Sequence, residues 1–178
     1  MKKITALILA LILSAGLISC QSATDISVPM GMMLASDPEV PEYVLMVPND
    51  WTVESATGTT TAYYKDNLSN AVLATFSATF NMAEEGITLE NYFDSYAEEF
   101  ISVFGTTQVV EEYDTLLDGK DAKEYIYTAT FGETEYKFWQ VICFNEGIIY
   151  TLTYSATAQY FDNYAEDMSL ILSNFYFK

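Results

Sequence analysis

The chain has 178 residues, with 25 Asp and Glu, seven Lys and Arg together, no His, and a formal net charge of −18. Without His it lacks the most common general base and metal ligand, which excludes the Ser-His-Asp and Cys-His catalytic arrangements. A surface this acidic repels phosphates, so we expect no nucleic acid among its partners.

The chain begins with a segment typical of a secreted precursor. Lys2 and Lys3 supply positive charge, and residues 4–13 form an apolar run that is too short for a membrane span of about 20 residues. The following residues resemble the lipobox of bacterial lipoproteins, in which the bond before a cysteine is cut and the thiol carries a diacylglycerol. The lipobox residues are Leu17, Ile18 and Ser19, and the lipid attachment site is Cys20.

This motif predicts a signal peptide at residues 1–19, a tether from lipidated Cys20 to residue 36, and one domain at residues 37–178. The mature chain would face outward from the cytoplasm, on the cell surface or the periplasmic side. Its five lysines and 25 acidic residues leave a charge of −20, so anionic headgroups repel it and the lipid is the expected membrane contact. The alternatives are an ordinary secretory signal with a chance cysteine, and a buried first helix.

The tether contains Pro, Gly, Ser and Asp without clear periodicity, except for an apolar group at residues 30–34. This Met-rich group is expected to dock on the domain, and a Met-rich adhesive surface is the alternative. Strands are predicted at residues 42–47, 51–55, 60–66 and 71–80 from β-branched and aromatic residues. In the last of these strands, Thr75, Ser77 and Thr79 share the face opposite Phe76.

After this strand, the spacing of the apolar residues changes from every second residue to every third or fourth residue. Residues 88–104 are predicted as a helix that Thr88 caps and Gly105 ends. Four strands follow at residues 107–115, 122–131, 134–144 and 147–156, joined by glycine-containing hairpin turns, and a final helix is predicted at about residues 158–173. The order indicates an α+β fold, in which a largely antiparallel sheet is flanked by helices.

Several short motifs occur in the order found in PsbP-like domains. They are VPNDW at residues 47–51, LDGKDA at 117–122, YTLTY at 150–154, and SNF at 173–175 after the final helix; MMLAS at 32–36 resembles the lead-in of lipoprotein members. The resemblance implies an α/β/α sandwich. Photosynthetic members are lumenal subunits of photosystem II that help to retain calcium, chloride and manganese. Their basic contact surface has no counterpart in a domain with five lysines, and the family has no shared catalytic motif to transfer.

The sequence therefore predicts no catalytic residue, no cofactor and no metal ligand. Paired carboxylates acting as acid and base in an envelope hydrolase are one alternative. A calcium-dependent module is another, although Asp114, Asp118 and Asp121 lack the spacing of an EF-hand loop and suit turn positions. Cys143 lies in an apolar strand, where a buried small hydrophobe is expected and a reactive thiol is the alternative.

The aromatic content suggests a binding surface. Trp51 follows a turn, and Tyr63 and Tyr64 are adjacent strand residues whose rings should face opposite sides of the sheet. These three residues are the candidate interaction surface. The predicted function is a membrane-anchored, non-catalytic binding or accessory module, with an envelope protein as the expected partner.

Overall fold

The computed structural model describes residues 26–36, 42–96 and 107–178. In chain order the strands are β1 Met32–Leu34, β2 Tyr43–Val44, β3 Met46–Pro48, β4 Thr52–Ala56, β5 Thr59–Lys65, β6 Val72–Met82, β7 Thr107–Leu117, β8 Lys120–Phe131, β9 Thr134–Asn145, β10 Ile148–Thr157 and β11 Tyr176–Phe177. Seven of them form one sheet in the order β4-β5-β6-β10-β9-β8-β7, and every neighbouring pair is antiparallel. The predicted antiparallel sheet is confirmed.

The four long strands from β7 to β10 are joined by tight turns at the predicted glycines. Asp118 and Gly119 both have positive φ, at 47° and 75°, and Glu146 and Gly147 have φ of 53° and 80°. Two consecutive residues with positive φ favour a turn whose twist matches the right-handed twist of paired strands. The local sequence therefore fixes the register of these hairpins, because a two-residue turn leaves no room for slippage.

Within the described residues, helices are shorter than the sequence suggested. Residues 92–96 are helical (α1), within the helix predicted at residues 88–104. Residues 88–91 are described and are not helical, and residues 97–104 lie outside the described residues. The final helix was predicted over residues 158–173, and this was wrong at its beginning. A 3₁₀ turn at Phe161–Asn163 is followed by α2 at Ala165–Ser173.

A hydrogen bond from strand β10 accompanies the interruption before α2. The phenolic hydroxyl of Tyr154 donates a hydrogen bond to the carbonyl oxygen of Phe161 across 2.6 Å. Tyr164, between the two helical pieces, has φ of −122°, outside the helical region. The Phe161 carbonyl thus accepts from the Tyr154 hydroxyl and from the backbone N–H of Tyr164, which closes the 3₁₀ turn, and α2 begins at Ala165.

The two faces of the large sheet are covered differently. On one, named the α2 face, Phe76 and Leu152 of the sheet belong to one buried cluster with Met168 and Ile171 of α2. On the opposite face a second cluster covers β8, β9 and the start of β10, and Phe93 of α1 belongs to it. The described helices therefore cover only part of the sheet.

The N-terminal segment is part of the fold from residue 32 onward. Strand β1 pairs with β3, and Met32 is buried in a small cluster with Val44 and Met46, whereas Met30 is fully exposed. The docking of this segment thus involves β1 rather than Met30. The boundary between tether and domain consequently lies before residue 36.

The strand predicted at residues 42–47 is split at Leu45. The backbone N–H of Leu45 donates to Oγ of Ser36, and its carbonyl accepts hydrogen bonds from the backbone N–H groups of Ala35 and Ser36. These contacts divert Leu45 from the strand ladder. Strand β2 therefore pairs with β11, and β3 pairs with β1.

Candidate functional site

Trp51 lies in the core rather than on a surface. Its side chain is 2% exposed, and its ring packs against the ring of Tyr64 with centroids 6.3 Å apart. The indole Nε1 donates a hydrogen bond to Oδ2 of Asp167 across 3.0 Å. The prediction that Trp51 faces a partner is therefore corrected, because the turn before β4 folds the indole under α2.

Tyr63 and Tyr64 face opposite sides of the sheet, as their adjacent positions in β5 require. Tyr64 belongs to the α2 face, where its ring lies 4.5 Å from that of Tyr164. Tyr63 lies on the opposite face, and its hydroxyl donates to Oε2 of Glu54 across 3.4 Å. Of the three predicted surface residues, Tyr63 is the one that faces away from the main core.

Small hydroxyl side chains occupy the half of the opposite face formed by β5, β6 and β10. We call this set the hydroxyl face. The register aligns the residues in rows across the three strands, so that Thr59, Thr79 and Thr151 lie side by side. The set consists of Thr59, Thr61, Thr75, Ser77, Thr79, Thr151, Thr153 and Ser155. Alternation places them opposite the core residues of the same strands.

Polar neighbours meet the hydroxyl face along its border with β9 and α1. Nε2 of Gln140 donates to Oγ1 of Thr153 across 3.1 Å, and the Tyr92 hydroxyl lies 3.3 Å from Oγ1 of Thr151. Gln140 is 3% exposed, and its Oε1 has no hydrogen-bond partner among the described residues. This border is therefore a buried polar network with unused acceptor capacity.

At one end the hydroxyl face opens into a pocket of about 220 Å³. Thr75 and Ser155 are cross-strand neighbours there, and Thr157 is paired with Tyr136 of β9. Oγ1 of Thr157 is buried and has no hydrogen-bond partner within the described part of the chain. None of the described residues that line the pocket carries a charge. The lining also includes the aliphatic residues Val72, Leu73, Ala74 and Ala156, so the pocket is a neutral cavity with both hydroxyl and apolar groups on its wall.

The acidic residues considered as calcium ligands have separate structural contacts. Asp114 contacts Nζ of Lys123 at 3.0 Å, and Oδ2 of Asp118 accepts a hydrogen bond from the backbone N–H of Phe177 at 2.9 Å. Lys123 also contacts Glu90 and Glu112, at 3.2 and 3.3 Å. Among the described residues no group of three or more metal-binding side chains has an arrangement that could hold a metal ion.

Two carboxyl groups are partly withdrawn from water. Burial raises the pKa of Asp167, and the hydrogen bond from Trp51 partly offsets this increase. Burial is likewise the main cause of the raised pKa of Glu124. Asp167 lies on α2 at the α2 face and Glu124 on β8, so the two belong to different elements. Asp167 has a structural contact with Trp51, which differs from the open acid-base pair that a glycosidase requires.

Cys143 has the environment of a structural thiol. It is fully buried at the α2 face, and burial raises its pKa to about 11. A thiol with this pKa is protonated at neutral pH and is therefore a poor nucleophile. The sequence predicted a small buried hydrophobic residue at this position. Cys143 fits this prediction, because it belongs to the core cluster together with Val141 and Tyr150.

The predicted lipidation residues Leu17, Ile18, Ser19 and Cys20 lie outside the described residues. In the part of the chain that the structure describes, no helix has the length and apolar character needed to cross a bilayer.

The pocket was not predicted from the sequence, although the alternation of hydroxyl residues that forms part of it is visible there. The alternation in residues 71–80 placed Thr75, Ser77 and Thr79 away from the core, and Thr151 and Thr153 showed the same pattern in their strand. Nothing local indicated that these two strands are neighbours. The hydroxyl face exists because β6 pairs with β10 across a long stretch of intervening chain.

Comparison with solved structures identifies the class of fold. The chain is similar to cyanobacterial PsbP (CyanoP) from Synechocystis sp. PCC 6803, with 14% identity, a TM-score of 0.62, and coverage of 85% of this chain and 95% of that one. It is also similar to LpqN of Mycobacterium tuberculosis, with 16% identity, a TM-score of 0.61, and coverage of 83% and 90%. The fold is therefore PsbP-like.

A further similarity extends the fold to a eukaryotic protein. Mog1p, a Ran-binding protein of Saccharomyces cerevisiae, matches with 7% identity, a TM-score of 0.56, and coverage of 75% of this chain and 89% of that one. No protein-family model matches the sequence, and no curated protein matches it either. At these identities the similarity concerns the fold.

Proposed function

We propose that the chain is an outward-facing lipoprotein, held on a membrane by lipid on Cys20, whose PsbP-like domain is a non-catalytic binding or accessory module. The hydroxyl face carries this proposal. It presents a row-aligned hydrogen-bonding surface and a neutral pocket, whereas Lys123, Asp167 and Cys143 are engaged in structural contacts. A helix layer on each side, completing an α/β/α sandwich, belongs to the same proposal.

The comparisons support this role by analogy. LpqN is described as involved in cell envelope biogenesis, and Mog1p as a Ran-binding protein. Neither description names a reaction. We infer that this chain likewise acts by binding, with an envelope protein as its partner and the lipid as its membrane contact.

The anchoring part is tested by metabolic labelling with an alkyne fatty acid, followed by membrane fractionation. Cys20→Ser should abolish the label and release the protein from the membrane, because the thiol that carries the lipid is gone. Cys143→Ala is the matched control, since it removes the other cysteine and should leave both signals intact. Retention of the lipid label by the Cys20→Ser chain would overturn the anchoring proposal.

The binding part is tested with photo-crosslinking residues placed one at a time in the lipidated chain. Positions 61 and 77 lie on the hydroxyl face, and position 169 lies on the exposed side of α2. We expect one envelope protein to be crosslinked from positions 61 and 77 and not from position 169. Equal crosslinking from all three positions would contradict a specific binding surface.

A further inference from the structure

We propose that the pocket at the end of the hydroxyl face binds a neutral saccharide, with one sugar ring held between β6, β9 and β10. This proposal rests on the binding-module function and specifies its ligand. It is carried by the shape of the pocket, by a buried hydroxyl group without a partner, and by the uncharged lining.

The shape follows from the side chains in two adjacent rows of the sheet. In the first row, the short side chains of Thr75 and Ser155 lie side by side and leave a trough between β6 and β10. Leu73 also lines the pocket, two residues before Thr75 and hence on the same face of β6. In the next row Tyr136 lies beside Thr157 and provides one wall.

The hydrogen-bonding capacity of the pocket is incomplete in the chain itself. Oγ1 of Thr157 is buried, and no other described residue donates to it or accepts from it. Outside the pocket, on the same face of the sheet, Oε1 of buried Gln140 is also without a partner among the described residues. Buried polar groups without partners are rare, because their desolvation is not compensated until a ligand or an ordered water binds.

The lining indicates the chemical class of the ligand. The described lining residues include no Lys that could hold a phosphate or carboxylate, and no Asp or Glu that could hold an ammonium group. The chain's net charge of −18 further disfavours anions. Ser and Thr hydroxyls both donate and accept hydrogen bonds, which matches the hydroxyls of a sugar, and the ring of Tyr136 can pack against its apolar C–H face.

The size of the pocket agrees with one ring. Its volume of about 220 Å³ is below the range of about 300–1,000 Å³ that is typical of sites for drug-sized ligands. A longer glycan would therefore place a single sugar unit in the pocket. Its neighbouring residues would extend along Ser77 and Thr153, which form the next row of the hydroxyl face.

The experiment is saturation-transfer difference NMR on the full lipidated chain in dodecylphosphocholine, a detergent without a sugar headgroup. The probes are glucose, galactose and N-acetylglucosamine, with glucose 6-phosphate and glucosamine as charged counterparts. We expect saturable binding of at least one neutral sugar and no saturable binding of the two charged ones. Absence of saturable binding by all three neutral sugars would overturn the proposal.

The site is located with two pocket variants and one matched control. Thr157→Val keeps the shape and removes the unpartnered hydroxyl, so the affinity should fall about tenfold, which corresponds to the loss of one hydrogen bond. Ser155→Leu fills the trough and should abolish binding. Thr128→Val, a half-buried threonine on β8 outside the pocket, should leave the affinity unchanged. If Ser155→Leu does not fold, the sugar affinity of Thr157→Val decides whether the pocket is the binding site.

The outcomes separate this proposal from the function on which it rests. Equal weakening by Thr128→Val and Thr157→Val would place sugar binding outside the pocket and overturn the proposal. A specific protein crosslink from the hydroxyl face together with no sugar binding would leave the binding-module function standing and remove only the saccharide. Sugar binding without a protein crosslink would support the pocket and remove the protein partner.

Discussion

The indole Nε1 of Trp51 donates a hydrogen bond to Oδ2 of Asp167 across 3.0 Å, and this contact joins the turn before β4 to the first turn of α2. Trp51 is almost completely buried, so the carboxyl group of Asp167 lies against an apolar ring. Burial raises the pKa of Asp167 and the indole hydrogen bond lowers it. A charge-assisted contact therefore holds α2 in addition to apolar packing.

Trp51→Phe should destabilise the domain more at about pH 7 than at about pH 3. The hydrogen bond favours the ionised carboxylate, so its loss raises the folded-state pKa of Asp167 further above the ordinary value of an aspartate. A raised folded-state pKa lowers stability as the pH rises through and above the unfolded-state value. We expect a loss of about 2 kcal/mol at about pH 7, measured by urea denaturation at both pH values.

A double-mutant cycle with Asp167→Ala separates the hydrogen bond from the lost ring volume. The expected coupling energy is about 1 kcal/mol, because Asp167 is half-exposed and solvent screens part of the interaction. Additive effects of the two substitutions would contradict the charge-assisted contact.

Added salt weakens the ion pairs of Lys123, and in a Lys123→Gln variant we expect added salt to stabilise the domain instead. The Nζ atom of Lys123 contacts carboxylates of Glu90, Glu112 and Asp114, and its side chain is 9% exposed. Without the lysine the three carboxylates repel one another, and added salt should then stabilise the domain by screening this repulsion. The measurement is the melting temperature from roughly 0.01 M to 1 M NaCl, over which the Debye length falls from about 30 Å to 3 Å.

The matched control for this experiment is Lys120→Gln, which changes the net charge by the same amount at an exposed hairpin turn. If both variants respond to salt equally, the effect comes from the overall negative charge, and the cluster around Lys123 does not act locally.

Tyr154→Phe should destabilise the domain by about 1–2 kcal/mol. The Tyr154 hydroxyl is buried and donates to the carbonyl oxygen of Phe161 across 2.6 Å, whereas that of Tyr43 lies 3.4 Å from Oγ1 of Thr60. A short hydrogen bond in a buried site contributes more than a long one. Tyr43→Phe is therefore the comparison variant. It should lower the free energy of unfolding by less than Tyr154→Phe, as measured by thermal or urea denaturation. A larger loss for Tyr43→Phe would contradict this ranking.

Labelling of Cys143 should report global unfolding. The thiol is fully buried and its pKa is raised to about 11, so in the folded chain it is neither accessible nor ionised at neutral pH. In a Cys20→Ser chain, where Cys143 is the remaining cysteine, we expect iodoacetamide labelling to be slow and to accelerate with urea in parallel with loss of the circular dichroism signal. Rapid labelling without denaturant would contradict this, and would favour a reactive thiol.

The strands and their turns could be predicted because their signals are local. The alternation around Phe76 and Tyr154 indicates which side chains face the core, and Asp118-Gly119 and Glu146-Gly147 supply the positive φ of tight hairpins. The interruption of the final helix could not be predicted in this way. It is accompanied by a hydrogen bond from the hydroxyl of Tyr154, which belongs to a different element.

The candidate site shows the same division. Tyr63 and Tyr64 were expected to face opposite sides because the period of a strand is two residues, and this is how they lie. The burial of Trp51 was not predictable, because position after a turn does not indicate what packs over the turn.

The charge, the exclusion of histidine chemistry, the hairpin turns and the side of the sheet to which each strand residue points can be read from the sequence, because these depend on a residue and its close neighbours. The position of β6 beside β10, the burial of Trp51 under α2, and the shared pocket of Thr75, Ser155 and Thr157 arise from long-range packing. Pairing between distant strands minimises the exposed apolar area of the whole chain, and that quantity is not contained in any local pattern.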